Sequence, residues 1–275
     1  MTGTPDTNSD VAAEPRVLVE RRGSVLLLGL NRPDKRNAAD LRMLSELALA
    51  YGEFDRTPEL RVAVVHAVGD HFTAGLDLAD IAPAIGRGTD GGLDMVPEGG
   101  INPWQVDGRT LSKPVVVAVQ GTCLTLGIEL ALASDIVVAA ESTRFGQVEV
   151  SRGILPFGGA TLRFPRAVGW GNAMRWMLTG DMFDAAEALR MGLVQEVVPD
   201  GDQLPRAIAL AERIAAQAPL AVAATLTNAR RAIREGDAAA EAELPAELVR
   251  LAGSEDARIG MAAFLSRTPA KFVGR

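Results

Sequence analysis

Cysteine occurs once in this 275-residue chain, at Cys123, and histidine only twice, at His66 and His71. A single cysteine excludes an internal disulfide, which fits a reducing cytosol, and a cytoplasmic location is the expectation. Two histidines with no C-x-x-C and no H-E-x-x-H cannot build the usual zinc sites, so no metal is expected. Cys123 reads as a small buried hydrophobe, and His66 and His71 as a core-edge and a surface histidine. Aromatic residues make up only 4% of the chain, so Ala, Val, Leu and Ile must supply most of its core. Positive charge is also short: the net charge of −7 does not suit a nucleic-acid surface, although local basic residues can still hold a small anion. No apolar run reaches the roughly 18 uncharged residues of a membrane span. The first fifteen residues, MTGTPDTNSDVAAEP, have neither the basic nor the apolar region of a signal peptide and are expected to form a disordered polar tail. Walker and G-x-S-x-G sequences are missing. Gly86 to Gly91 satisfies G-x-G-x-x-G, but in a Gly/Pro-rich loop with no helix after it, where a dinucleotide fingerprint does not work.

What is present is an alternation of short strand-like and helical patterns. RVLVE and SVLLLGL flank Arg21-Arg22-Gly23 as a hairpin, and AADLRMLSELALAYGEFD carries apolar residues at helical spacing. RVAVVHAV, KPVVVAVQG and DIVVAA read as strands, LGIELALA as a helix, and TRFGQVEV as a short strand and loop. Residues 85–107 read as a long flexible loop. After Thr161 the pattern is mostly helical, ending in four segments that begin with GDQLPRAIALAERIAAQA, LAVAATLTNARRAI, PAELVRLA and EDARIGMAAFLS. An α/β layered fold is expected, with a core over 16–200 and a helical region over 201–275.

One residue stands out. Glu129 sits within the apolar run GTCLTLGIELALASD, where an anion is costly to bury unless it is paired or used. It falls in the first turn of a helix that begins near Leu126-Gly127, where unpaired N–H groups and a partial positive charge collect. A second turn, Ala74-Gly75-Leu76, follows a strand and can aim another N–H into a cleft. Two such groups converging on one oxygen make an oxyanion hole. The residues alone leave this open against a plainer reading, a tight turn and a capping carboxylate.

These segments resemble the crotonase (enoyl-CoA hydratase/isomerase) superfamily. NRPDKRNA is similar to its N-R-P-x-x-x-N-A turn, and HFTAGLDL to its F-[SA]-A-G-x-D segment. KPVVVAVQGTCLTLGIELALASDIVVAAESTRFGQVEV, GILPFGG and TGDMFDAAEALRMGLV follow in the family's order and spacing. The resemblance implies an α/β crotonase (ClpP-like) fold, a spiral of strand–strand–helix repeats with a helical C-terminal trimerisation region. It implies an acyl-CoA thioester as substrate, with coenzyme A carried by the substrate and no separate cofactor. Nucleic acid and membrane are not expected as partners; a homotrimer or dimer of trimers is.

By position, the oxyanion-hole N–H groups would be those of Leu76 and Leu126. Hydratases of the family carry two glutamates twenty residues apart, here Glu129 and Glu149. The first would activate water and the second would deliver a proton to Cα, whereas isomerases generally keep only the second. That favours a 2-enoyl-CoA hydratase over an isomerase, another acyl-CoA lyase or a non-catalytic binder. Arg32, Lys35 and Arg36 form a basic cluster for phosphates, and groups near Arg36, Ala38, Ala74 and Asp77 would hold the rest of coenzyme A. Phe264 and Lys271 would contact it from the C-terminal region, in some relatives from a neighbouring subunit. Two departures stand out: the family's G-G-G turn reads Thr125-Leu126-Gly127, and its F-x-x-P-E proline is Val148.

Overall fold

The computed structural model describes residues 14–88, 93–106 and 109–275. Most of the N-terminal tail and the end of the literal G-x-G-x-x-G therefore lie outside the described residues. Strands β1 (Val17–Arg22) and β2 (Val25–Leu30) form the expected antiparallel hairpin, turning at Gly23 with φ +59°. Helix α1 (Leu41–Arg56) follows, capped by Asp40, whose carboxylate accepts the Met43 N–H at 2.8 Å. The chain then lays down β3 (Val62–Ala67), the short α2 (Leu78–Ile81), β4 (Val115–Val119) and β5 (Thr122–Leu124). Next come α3 (Leu126–Ala133), β6 (Ile136–Ala140), β7 (Arg144–Gly146), α4 (Ala160–Val168) and α5 (Trp170–Thr179). The remainder is β8 (Met182–Asp184), α6 (Ala185–Met191), β9 (Glu196–Val198), then α7 (Gln203–Ala215), α8 (Pro219–Glu235), α9 (Asp237–Ala252) and α10 (Glu255–Ser266).

The main sheet has the order β1-β2-β3-β4-β6-β9 and is parallel beyond the first pair. Beside it, β5, β7 and β8 make a smaller sheet. The repeat is visible in this arrangement. β4 is followed by β5 and α3, and β6 by β7 and α4. Earlier turns keep the middle step as single bridges, Ala39 to Leu76 and Thr73 to Cys123. This is the spiral of strand–strand–helix units that the resemblance implies.

Both faces of the main sheet are covered, which explains why its strands are apolar throughout. Leu26, Leu28 and Leu30 pack into the core shared with α1 and α3, while Val25 and Leu27 join Val64, Val116 and Val138 beneath Ala207 and Ala211 of α7. Three features differ from the sequence reading. The three-residue strands β5, β8 and β9 carry too few residues to show a period. Helix α9 begins at Asp237, eight residues before Pro245, because the Ala/Glu-rich stretch before the proline is itself strongly helix-forming and continues through it. The loop expected to be flexible is in part core: Ile101, Asn102, Trp104 and Gln105 are buried. The loop backbone can approach α1 because Gly52 has no side chain to meet the Gly99 carbonyl, and the Ile101 N–H then bonds to the Ala48 carbonyl at 2.9 Å.

Candidate active site

A cleft of about 350 Å³ opens where α3, the turn after β3 and the loop after β7 meet. Its walls include Lys35, Ala38, Ala74, Leu76, Asp77 and Leu126, together with Glu129 and Glu149. Eight of the sequence-derived candidates thus come together. Arg36 is exposed beside the cleft but does not line it, and it holds a left-handed conformation with φ 50°. Phe264 on α10 and Lys271 beyond it are exposed and do not line this chain's cleft.

The turn after β3 is fixed by the NRPDKRNA segment. The Ala74 N–H donates to the Arg36 carbonyl at 2.9 Å, Ala39 to the Gly75 carbonyl at 2.8 Å and Asp77 to the Ala39 carbonyl at 2.9 Å. These bonds leave the Leu76 N–H with no acceptor among the described residues, and Leu76 lines the cleft. Arg32 organises the segment from beneath, reaching Ala38 O at 2.9 Å and Asp77 Oδ2 at 2.7 Å. This corrects the grouping of Arg32 with the phosphate-binding cations, because its guanidinium is already engaged by Asp77 and Asp40. Asp77 is held below the usual carboxylate range by that same bond. Asn37 is fully buried and ties the turn to the strand end, donating to the carbonyls of Val68 and His71.

The opposite wall begins at Thr125, with φ 48° and ψ −110°. That left-handed backbone is rare for a residue with a branched Cβ. Thr125 is held there by its N–H bond to the Gly146 carbonyl at 2.8 Å, and its hydroxyl occupies the space a side chain on Gly75 would need. The Leu126 N–H, first of helix α3, also has no acceptor among the described residues. Replacing Thr125 with glycine should relieve about 1–3 kcal/mol of strain, against roughly 0.4–1 kcal/mol of added unfolded-state entropy. A rise in Tm of roughly 2–4 °C is therefore expected by thermal unfolding. A lower Tm would mean that the threonine is not strained.

Glu129 is 1% exposed, and it caps a neighbouring helix and not its own. Its Oε1 accepts the Ala160 N–H at 3.0 Å at the start of α4, and the N–H groups of Gly158 and Gly159 also favour its anion. Burial nevertheless outweighs these bonds and pushes its pKa up. A Cβ on Gly158 would lie 2.9 Å from the Glu129 carboxyl carbon, so the glycine lets this carboxyl group sit against the backbone before α4.

Glu149 opens a 3-10 turn (Glu149–Arg152) and is 5% exposed. Burial raises its pKa to about 7, with the Glu129 charge adding to the shift and the Gln147 amide, 2.9 Å from Oε1, opposing it. Its Oε2 has no hydrogen-bond partner among the described residues. Cys123 is fully buried and its thiol is pushed well above the usual range. Burial also lowers the His66 pKa, and His71 accepts the Thr122 N–H. None of these three lines the cleft. Sequence reasoning missed Trp104, Gln147 and the Ala160 N–H, although the paired glycines of GILPFGG marked the place where α4 meets Glu129.

Two inward carboxyl groups with raised pKa values and two free N–H groups in one cleft can polarise a carbonyl and move protons beside it. Comparison with known proteins agrees with this chemistry. The enoyl-CoA hydratase/isomerase family model matches residues 20–275. Enoyl-CoA hydratase EchA19 of Mycobacterium tuberculosis is 36% identical over 273 residues, covering 96% of this chain and 99% of that protein. The 2,3-dehydroadipyl-CoA hydratase of Escherichia coli is 35% identical over 265 residues, covering 94% and 99%. The crystal structure of a probable enoyl-CoA hydratase/isomerase from Mycobacterium abscessus matches with a TM-score of 0.91 at 62% identity, covering 94% of this chain and 99% of that one. With the family pattern matched over nearly its whole length and the fold shared, this chain belongs to the enoyl-CoA hydratase/isomerase family, within the crotonase superfamily.

Proposed function

We propose that this protein is a 2-enoyl-CoA hydratase in which Glu129 and Glu149 handle one water molecule. The observation that carries the reading is the pair of buried carboxyl groups lining one cleft with the free N–H groups of Leu76 and Leu126. The thioester oxygen accepts from both N–H groups. Glu129 takes a proton from water as the water oxygen bonds to Cβ, and the electron pair of the double bond moves toward the thioester oxygen. That oxygen gains charge in the transition state, where two preorganised donors matter most. Glu149, facing the same water, delivers its proton to Cα as the water adds, and the charge on oxygen returns to the carbonyl. Retention of both carboxyl groups, and the hydratase names of two relatives, favour hydration over double-bond migration.

Lys35 at the mouth supplies a cation for the phosphates of coenzyme A, which travels with the substrate, so these steps use no further cofactor. Exposed apolar side chains on the last helices, among them Leu248, Val249, Met261, Phe264 and Leu265, suit burial between copies of the chain. The assembly we propose is a trimer or a pair of trimers, in which Phe264 and Lys271 reach coenzyme A across a subunit boundary. No single helix among the described residues is long and apolar enough to cross a membrane, consistent with a cytoplasmic enzyme.

The test is spectrophotometric. Offered short, medium and branched 2-enoyl-CoA thioesters, the protein should remove the conjugated absorbance with addition of one water. A gain of conjugation from a 3-enoyl thioester, without hydration of the 2-enoyl one, would make it an isomerase instead. Binding with neither change would make it a carrier.

A further inference from the structure

One wall of the cleft carries a leucine side chain, Leu126, at a position that matches a glycine of the family's G-G-G turn. Leu126 lines the cleft and also a second, smaller cavity of about 20 Å³. Among the described residues it is the only one that lines both. The smaller cavity is apolar, walled by Leu30, Met43, Leu44, Leu47, Trp104 and Leu130. The hydroxyl of Thr73 there is already spent on the Asn37 carbonyl at 2.7 Å. Such a space takes hydrocarbon and not a polar group. Leu126 itself is 4% exposed, and the Trp104 indole N–H holds its carbonyl at 3.0 Å, so the start of α3 is anchored from the cavity side.

We propose that the Leu126 side chain is the wall that ends the acyl site, and that it restricts this protein to short-chain acyl thioesters. The proposal rests on the hydratase reading for the identity of the thioester. The two roles of Leu126 are separable: its N–H serves the thioester oxygen whatever the side chain, while its isobutyl group closes the way to the space among Met43, Leu47 and Trp104. Shortening the side chain joins the cleft to that space and gives a longer chain somewhere apolar to go. Each added methylene that finds a fitting apolar site is worth roughly tenfold or more in discrimination.

The experiment measures binding of saturated butyryl-, hexanoyl-, octanoyl- and decanoyl-CoA by calorimetry, with no turnover required. Wild-type protein should bind the short thioesters best and weaken with length. Leu126→Ala should tighten octanoyl- and decanoyl-CoA by about tenfold or more relative to butyryl-CoA in the same variant. Leu130→Ala removes the same three carbon atoms from the smaller cavity without breaching the wall, and its length profile should match wild type. An unchanged profile in Leu126→Ala, or an equal shift in Leu130→Ala, overturns the proposal. If Leu126→Ala does not fold, Leu126→Val should show a smaller shift in the same direction, and no shift there overturns it too. Wild-type protein that binds these thioesters but hydrates no 2-enoyl thioester defeats the hydratase reading alone, and the length profiles still decide the wall.

Discussion

Glu149→Gln should lower hydration of a 2-enoyl-CoA thioester by a factor of about 10² or more while leaving thioester binding similar, because the amide has no proton to give Cα. The same residue sets the pH dependence. Burial and the Glu129 charge place Glu149 at about 7, so near neutral pH about half of the molecules carry the required proton. A proton donor works only when protonated, so hydration should fall as pH rises above about 7, close to tenfold per unit. Dehydration of the 3-hydroxyacyl thioester uses Glu149 as a base and should fall in the other direction, below about 7.

Stability follows the same titration. The ordinary value of 4.5 applies in the unfolded chain and the raised value in the folded one. The fold therefore favours the neutral form. Its contribution is fully present below about 4.5 and is lost as pH rises through about 7, at a total of roughly 3 kcal/mol. Glutamine is neutral throughout and escapes that loss, so Glu149→Gln should melt well above wild type at pH 8 and close to it at pH 4.5. Full activity in this variant would remove Glu149 from the chemistry. Parallel melting curves at both pH values would instead contradict its burial as the cause of the shift.

Much of this site was legible in the sequence, and for identifiable reasons. Glu129 was visible because a carboxylate in LGIELALA breaks an otherwise apolar helix, and α3 runs over those same residues. Strands β2 and β4 were visible because a sheet covered on both faces needs unbroken apolar runs. Glu149 was legible only through its distance from Glu129 within a family pattern, since nothing local in RFGQVEV marks it. Long-range partners were not legible at all. The Ala160 N–H lies 31 residues from Glu129, and Trp104 reaches Leu126 from a loop whose Gly and Pro content suggested flexibility. Composition describes what a loop's backbone can do. It does not report that Gly52 leaves room for this loop to pack on α1. Thr125 is the mixed case: the sequence marks it as a departure from the family's glycine turn, but only the structure shows that it holds a φ of 48°.

Glu129→Gln carries the other large effect, again a loss of about 10² or more in turnover, since an amide cannot take a proton from water. Two features separate this loss from misfolding. The glutamine carbonyl can still accept the Ala160 N–H, so the start of α4 stays capped and the variant should remain folded. Glu129→Ala leaves that buried N–H without a partner and should cost about 1–3 kcal/mol of stability. The second feature is electrostatic. The Glu129 charge is one of the causes that raise Glu149, so its removal should lower the Glu149 pKa and move the alkaline limb of the residual activity to lower pH. A purely structural defect would leave that limb in place. Because the two carboxyl groups act on one water, Glu129→Gln with Glu149→Gln should lose little more than either change alone. Multiplying losses would mean that the two residues act in separate steps, and the single-water mechanism would then be wrong.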